Sequence, residues 1–160
     1  MAQRDRKIKG FTLIEIILVI TIIAIIVGAG IAFLDDSSTN FSLDSAARRI
    51  ASDINYARSY ALKTGKIVNV VFDSANNRYS LEQEGAYIKH PLRKDDFLIT
   101  FTDKFNLEDV DLYQVVINGG GNSLNFNPDG TVNGGIIEIR YGGKKKVIII
   151  DVSTGNIKIQ

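Results

Sequence analysis

The chain has no cysteine and a single histidine, His90, in 160 residues. Without thiols no disulfide can staple a small fold, so any folded domain must stand on its own core. Thiol nucleophiles, cysteine-bound metals and paired-histidine sites are excluded at the same stroke. Gly119-Gly120-Gly121 lacks the lysine that a phosphate-binding loop needs. Asn127-Pro128-Asp129-Gly130 offers oxygens but not the regular acid spacing of a calcium loop, and reads as a plain turn. His90 precedes Pro91 in a polar stretch and reads as a loop residue. No catalytic set, cofactor site or metal site emerges, and the expectation is a protein that is not an enzyme.

A large excess of charge of one sign is missing as well. Lys and Arg number 19 against 18 Asp and Glu, for a net of +1. The basic excess sits in the first ten residues, where Arg4, Arg6, Lys7 and Lys9 face only Asp5. Without that leader, 15 bases (19 less 4) and 17 acids (18 less 1) remain, a net of −2. The body of the chain is therefore not a broadly basic nucleic-acid binder. Its one basic cluster is Lys144-Lys145-Lys146, at the end of an expected hairpin. A solvated hairpin end and a contact with DNA or an acidic partner both fit those three lysines.

What the chain does have is one long apolar run. From Phe11 to Leu34 only Thr12, Glu15 and Thr21 interrupt it. As a helix its roughly 24 residues span ~36 Å, enough to cross a ~30 Å hydrocarbon layer. Basic residues beside a membrane helix stay cytoplasmic, so the leader faces inward and the chain from Asp35 onward faces outward. An ordinary secretory signal has a shorter apolar core, although Val27-Gly28-Ala29 is a passable cleavage site for one. Gly28 and Gly30 allow neighbouring helices to pack closely.

Glu15 is out of place in such a run. An acid near the middle of a membrane helix is disfavoured by ~2.5–3.5 kcal/mol, and by less near the end. A cut after Gly10 would give Phe11 a free, positively charged amine about one helical turn away. Two unit charges ~4 Å apart attract by ~4 kcal/mol at an effective dielectric near 20, before desolvation is subtracted. Snorkelling of Glu15 into the interface is the other reading of charge placement alone.

Gly10-Phe11-Thr12-Leu13-Ile14-Glu15, followed at once by the apolar helix, resembles the processing site of type IV pilin-like proteins. The resemblance implies that a prepilin peptidase cuts after Gly10 and that the new amine of Phe11 is methylated. It also implies that Glu15 pairs with the N-terminus of a neighbouring subunit during filament assembly. The proline common near the middle of the family's membrane helices is absent here.

Beyond Asp35–Asn40, a polar break or a solvated helical turn, Ser42–Thr64 reads as an amphipathic helix. Leu43, Ala47, Ile50, Ile54, Ala57 and Ala61 recur at spacings of four and three along one face. Ser42 is placed to cap it, Asp44 to help in its first turn, and Gly65 to stop it. Arg49 and Asp53 fall on the wet side, four apart. From Lys66 the pattern changes to short strands and turns. Strands are expected at Ile67–Asp73, Arg78–Glu84, Phe97–Thr102, Leu112–Ile117, Leu124–Phe126, Ile136–Tyr141, Val147–Val152 and Ile157–Ile159. This predicts an α+β fold, a long N-terminal helix packed on an antiparallel, sandwich-like head.

The head carries a second resemblance. Ala57-Arg58-Ser59-Tyr60-Ala61, Leu124-Asn125-Phe126-Asn127-Pro128-Asp129-Gly130 and Ser153-Thr154-Gly155-Asn156-Ile157-Lys158 are similar to the GspH/FimT subgroup. That subgroup holds the H-type minor pseudopilins of type II secretion and the FimT-like minor pilins. It implies four parts: a cleaved leader 1–10, a transmembrane helix 11–34, an amphipathic helix 35–65 and a β-rich head 66–160. The expected role is a minor pseudopilin near the tip of the type II secretion pseudopilus, assisting export across the outer membrane. A FimT-like minor pilin, active in pilus assembly or DNA uptake, is the alternative. The partners implied are other pseudopilins or pilins, the prepilin peptidase and inner-membrane lipids, with DNA only in the alternative. No cofactor is implied. The expected location is the inner membrane, single-pass, with the leader cytoplasmic and the head in a periplasmic pseudopilus. Arg58 is expected to tie helix to sheet.

Overall fold

The computed structural model describes residues 11–101, 110–152 and 154–160, and within its long helix the side chains outside 30–38. Helix α1 spans Leu13–Thr64, and the chain divides between Ser38 and Thr39 into two compact units. Asp35–Asn40 is helical. Asp, Ser, Thr and Asn each cost well under ~1 kcal/mol in a helix, whereas the breakers Gly and Pro are missing from that stretch. Ser42 therefore lies inside a helix and caps nothing, which corrects the expected helix start.

In the first unit, Thr21 turns its hydroxyl back onto the Ile17 carbonyl at 2.7 Å, so this polar group is satisfied within the apolar run. Among the described residues no helix is long and apolar enough to cross a membrane. The last part of the apolar run, 30–34, lies outside the described side chains.

In the second unit the apolar stripe of α1 is the spine of the core. Leu43, Ala47, Ile50, Ile54, Ala57 and Ala61 are all 0–1% exposed. Each large aliphatic buried in this way is worth ~1.5–3 kcal/mol, and the alanines let the sheets approach closely. Gly65 ends the helix: its φ is +67°, a left-handed value that suits glycine, and its N–H bonds the Ala61 carbonyl at 2.9 Å.

Two antiparallel sheets follow. The first takes β1 (Val68–Asp73), β2 (Arg78–Gln83), β3 (Ala86–Tyr87), β4 (Leu98–Thr100) and β6 (Ser123–Phe126), in the order β3-β2-β1-β6. Strand β4 shares the β3 side of β2: Tyr79 pairs with Ile99 and Glu82 with Tyr87. The second sheet is β5 (Asp111–Ile117), β7 (Gly135–Tyr141), β8 (Lys144–Ile150) and β9 (Ile157–Ile159), in the order β5-β7-β8-β9. Phe72, Tyr79 and Leu81 of the first sheet join Ile137, Ile139 and Ile148 of the second in one apolar cluster with the helix stripe. This is the predicted α+β architecture. Two details differ. Strand β3 is only two residues long, too short to show an alternation. Strand β8 begins at Lys144, not Val147, because Gly142 and Gly143, with φ of 55° and 77°, form a two-residue turn that pairs Tyr141 with Lys144.

Candidate functional site

The N-terminal motif starts a helix. Thr12 stands at the cap: its hydroxyl oxygen accepts from the Glu15 N–H at 3.3 Å, and its carbonyl accepts from Glu15 and Ile16 at 3.1 and 3.3 Å. Thr12-Leu13-Ile14-Glu15 has the spacing of a capping box, a signal present in the sequence that the charge argument passed over. Glu15 thus lies in the first helical turn, where the helix dipole favours a carboxylate by ~0.3–1 kcal/mol. Phe11 is 78% exposed and Glu15 is exposed. Gly10 lies outside the described residues.

The lysine cluster is drawn largely onto the helix. Lys146 Nζ meets Asp44 at 2.7 Å and Lys144 Nζ donates to the Asn40 side chain at 3.2 Å. Thr39 packs against Gly142, where an added Cβ would come within 3.0 Å of its methyl group. Lys145 is the more solvated member, 3.6 Å from Glu138. Asp44 also holds Arg48 at 2.7 Å. The hydrogen bond from Lys146 first, and that from Arg48 second, bring its carboxyl from 3.8 down to about 2. Asp44 is therefore a node between helix and hairpin, not a first-turn charge.

Asp53 is not on the wet side of α1. It is 8% exposed and accepts from the Tyr79 hydroxyl at 2.6 Å and from Arg49 Nε at 3.2 Å. Burial, and then the neighbouring Asp53 charge, push the Tyr79 phenol well above its ordinary range. His90 is in a loop, as expected, but is only 8% exposed and stacks on Phe97 at 4.7 Å. Its Nδ1 accepts from the Leu92 and Arg93 amides at 3.2 and 3.3 Å, which places the proton on Nε2. Burial, and then the Arg93 charge, lower its pKa. Periodicity along one strand or helix carried no signal for either arrangement.

Arg58 lies against two glycine turns. A Cβ on Gly130 would sit 3.5 Å from its Nε, and one on Gly155 3.6 Å from its Cδ. It therefore lies between the helix and the Asn127–Gly130 and Thr154–Gly155 turns, which are loops and not the sheet expected for it. Its Nε is buried without a hydrogen-bond partner among the described residues. The Asn127–Gly130 turn is closed by the Gly130 N–H on the Asn127 carbonyl at 2.9 Å, and the Asp129 carboxylate accepts from Thr131. Among the described residues no group of acids and histidine has metal-binding placement.

The long capped helix, the paired antiparallel sheets and the N-terminal motif together define a type IV pilin-like protein. A family model described as "Type II transport protein GspH" matches residues 46–155, and the prokaryotic N-terminal methylation motif matches residues 5–31. The chain belongs to the GspH family. Its fold is similar to that of the minor pseudopilin EpsH from the Type 2 Secretion System of Vibrio cholerae. There the identity is 14% and the TM-score 0.57, with 74% of this chain and 96% of EpsH covered. The type IV minor pilin FimU of Pseudomonas aeruginosa is similar too, at 23% identity and a TM-score of 0.52, covering 76% of this chain and 90% of FimU. At these identities the likeness is one of fold. A sequence comparison with curated proteins gives no match.

Proposed function

We propose that the chain is a minor pseudopilin, built into the periplasmic pseudopilus of type II secretion near its tip, and that it assists export across the outer membrane. In this reading the Phe11–Leu34 helix anchors it in the inner membrane, with leader 1–10 cytoplasmic and the head periplasmic. The peptidase cuts after Gly10, the Phe11 amine is methylated, and Glu15 pairs with the N-terminus of a neighbouring subunit. The observation that carries the proposal is the joint occurrence, in one chain, of the methylation motif and the GspH match, with Glu15 exposed in the first turn of the helix. The position of Glu15 suits that pairing, because its side chain is open to a neighbour.

The test is mass spectrometry of the protein recovered from cells. A product starting at N-methylated Phe11 is expected. A chain that keeps Met1–Lys9, or one that starts beyond Ala29, would overturn the reading. A minor pilin of a type IV pilus that binds DNA through Lys144–Lys146 is the second reading. The engagement of Lys146 by Asp44 and of Lys144 by Asn40 weighs against it. Salt-dependent DNA binding by the full chain that collapses on substitution of those lysines would favour it.

A further inference from the structure

The head carries a groove that neither the N-terminal motif nor the lysine hairpin uses. It lies between α1 and the connection from β3 to β4, and its volume is about 430 Å³. Tyr56, Phe97 and His90 form its floor. Tyr56 stacks on Phe97 at 5.6 Å with the planes 23° apart, and His90 sits on the other contact of Phe97 at 4.7 Å. At the rim stand Leu92, 85% exposed, and the guanidiniums of Arg49 and Arg93, each side chain 33% exposed.

Leu92 held in water beside an aromatic floor leaves apolar surface that a covering partner would bury. The turn that presents it is built, not slack: His90 Nδ1 fixes the Leu92 and Arg93 amides. The charge of the lining is cationic. Asp53, its one carboxylate, is turned inward onto Tyr79 and Arg49. Asp95 holds Arg93 only at 3.4 Å and is itself 56% exposed, a pair that solvent screens.

Stacked nucleic-acid bases need open ring faces, and of the three rings only Tyr56 is partly exposed, with Phe97 at 1% and His90 at 8%. A small ligand would fit the volume but leave Leu92 at the rim uncovered. We infer, on the footing of the assembly role, that the groove seats one large apolar side chain and an adjacent carboxylate presented by a neighbouring pilin-class subunit. The apolar group packs on the partly exposed Tyr56 and against Leu92, and the carboxylate meets Arg49 and Arg93.

Because the chain has no cysteine, Leu92→Cys gives a single thiol. The full chain carrying it is produced in cells with its sibling pilin-class subunits, each with one cysteine placed beside a surface Asp or Glu, and treated with a short bis-maleimide. The expected result is an adduct with one sibling. It should fall about tenfold with Arg93→Glu and return when that sibling's acid is changed to Lys. Arg93 pairs with the exposed Asp95 and takes no part in the bonds that Asp53 accepts from Tyr79 and Arg49, so its reversal separates loss of charge from loss of fold.

A chain that is processed and assembled, yet gives no more adduct at Leu92→Cys than at the exposed control Asn76→Cys, overturns the inference and leaves the assembly role standing. So does an adduct with a second copy of this chain, or one indifferent to charge reversal. Binding of a single-stranded oligonucleotide that is lost with Arg93→Glu would reassign the groove to nucleic acid. A chain that is neither processed nor assembled removes both the assembly role and the neighbour that the groove requires.

Discussion

The Tyr79 hydroxyl donates to the Asp53 carboxylate at 2.6 Å, joining the middle of α1 to strand β2 inside the core. Arg49 Nε reaches the same oxygen from the helix at 3.2 Å. The residue that looked like half of a weak surface pair is thus an internal acceptor with two donors.

Removing the phenol tests this link. Tyr79→Phe keeps the ring packing against Phe72 and Phe101 but leaves a buried carboxylate one donor short. The expected loss is ~1–3 kcal/mol, read as a lower urea midpoint of the full chain in detergent. An unchanged midpoint would show that the bond contributes nothing net.

Glu15 has a capping position and a charge, and two substitutions separate them. Glu15→Gln keeps a hydrogen-bonding side chain at the third helical position, whereas Glu15→Val keeps neither feature. If charge pairing drives assembly, both variants are cleaved after Gly10 and both are scarce in filaments. Normal incorporation of Glu15→Gln would leave only the cap. Replacing Gly10 with a bulky residue should retain the leader, visible as a larger product on a gel.

Gly135 tests the close approach of β7 and β5. A Cβ there would lie 2.6 Å from the Val116 carbonyl oxygen, a backbone atom with little room to yield. Gly135→Ala should cost at least ~1–3 kcal/mol by overpacking, seen as a lower melting temperature. A stability equal to wild type would mean that the strands part freely.

The Asp44 node predicts an acid limb. Its folded-state pKa, about 2, lies below the ordinary 3.8, so the folded chain binds this proton more weakly than the unfolded chain. The contribution of the node is complete above about 3.8 and is lost as the pH falls through about 2. Amide exchange at Tyr141–Lys146 should quicken across that window and not above it. Lys146→Gln, which removes the largest cause, should move the onset to higher pH.

His90 acts in a milder range. Its pKa lies below 6.5 because burial, and then Arg93, disfavour the imidazolium, while Asp53 and Asp95 oppose and Arg49 adds to that effect. The stability it lends is full above 6.5 and is lost as the pH drops through its depressed folded value. Protonation of Nδ1 removes the acceptor of the Leu92 and Arg93 amides, whose exchange should then rise. His90→Phe should abolish the pH dependence of that rise, and a rise that persists would assign it to another group.

Much of the fold was readable before any coordinates. The six-residue stripe of α1 is buried as the spacing of four and three requires, because one helix face must leave water together. Ile137 and Ile139 are buried and Glu138 is half-buried, following the alternation of a strand. The start of the second helix was misread, because Ser42 and Asp44 have cap chemistry but nothing before them breaks a helix. The lysine cluster was readable as a cluster, not as a set of ties.

The order of residues along the chain determined the apolar run, the processing motif, the amphipathic helix and the strand-rich head, because each is a local period or a local spacing. Tertiary structure decided what the polar side chains do. Lys146 meets Asp44 across 102 residues, and Tyr79 meets Asp53 across 26. Whether a charge ends in water, in a core or at the rim of a groove depends on which distant segment arrives beside it, and hydrophobic periodicity is blind to that.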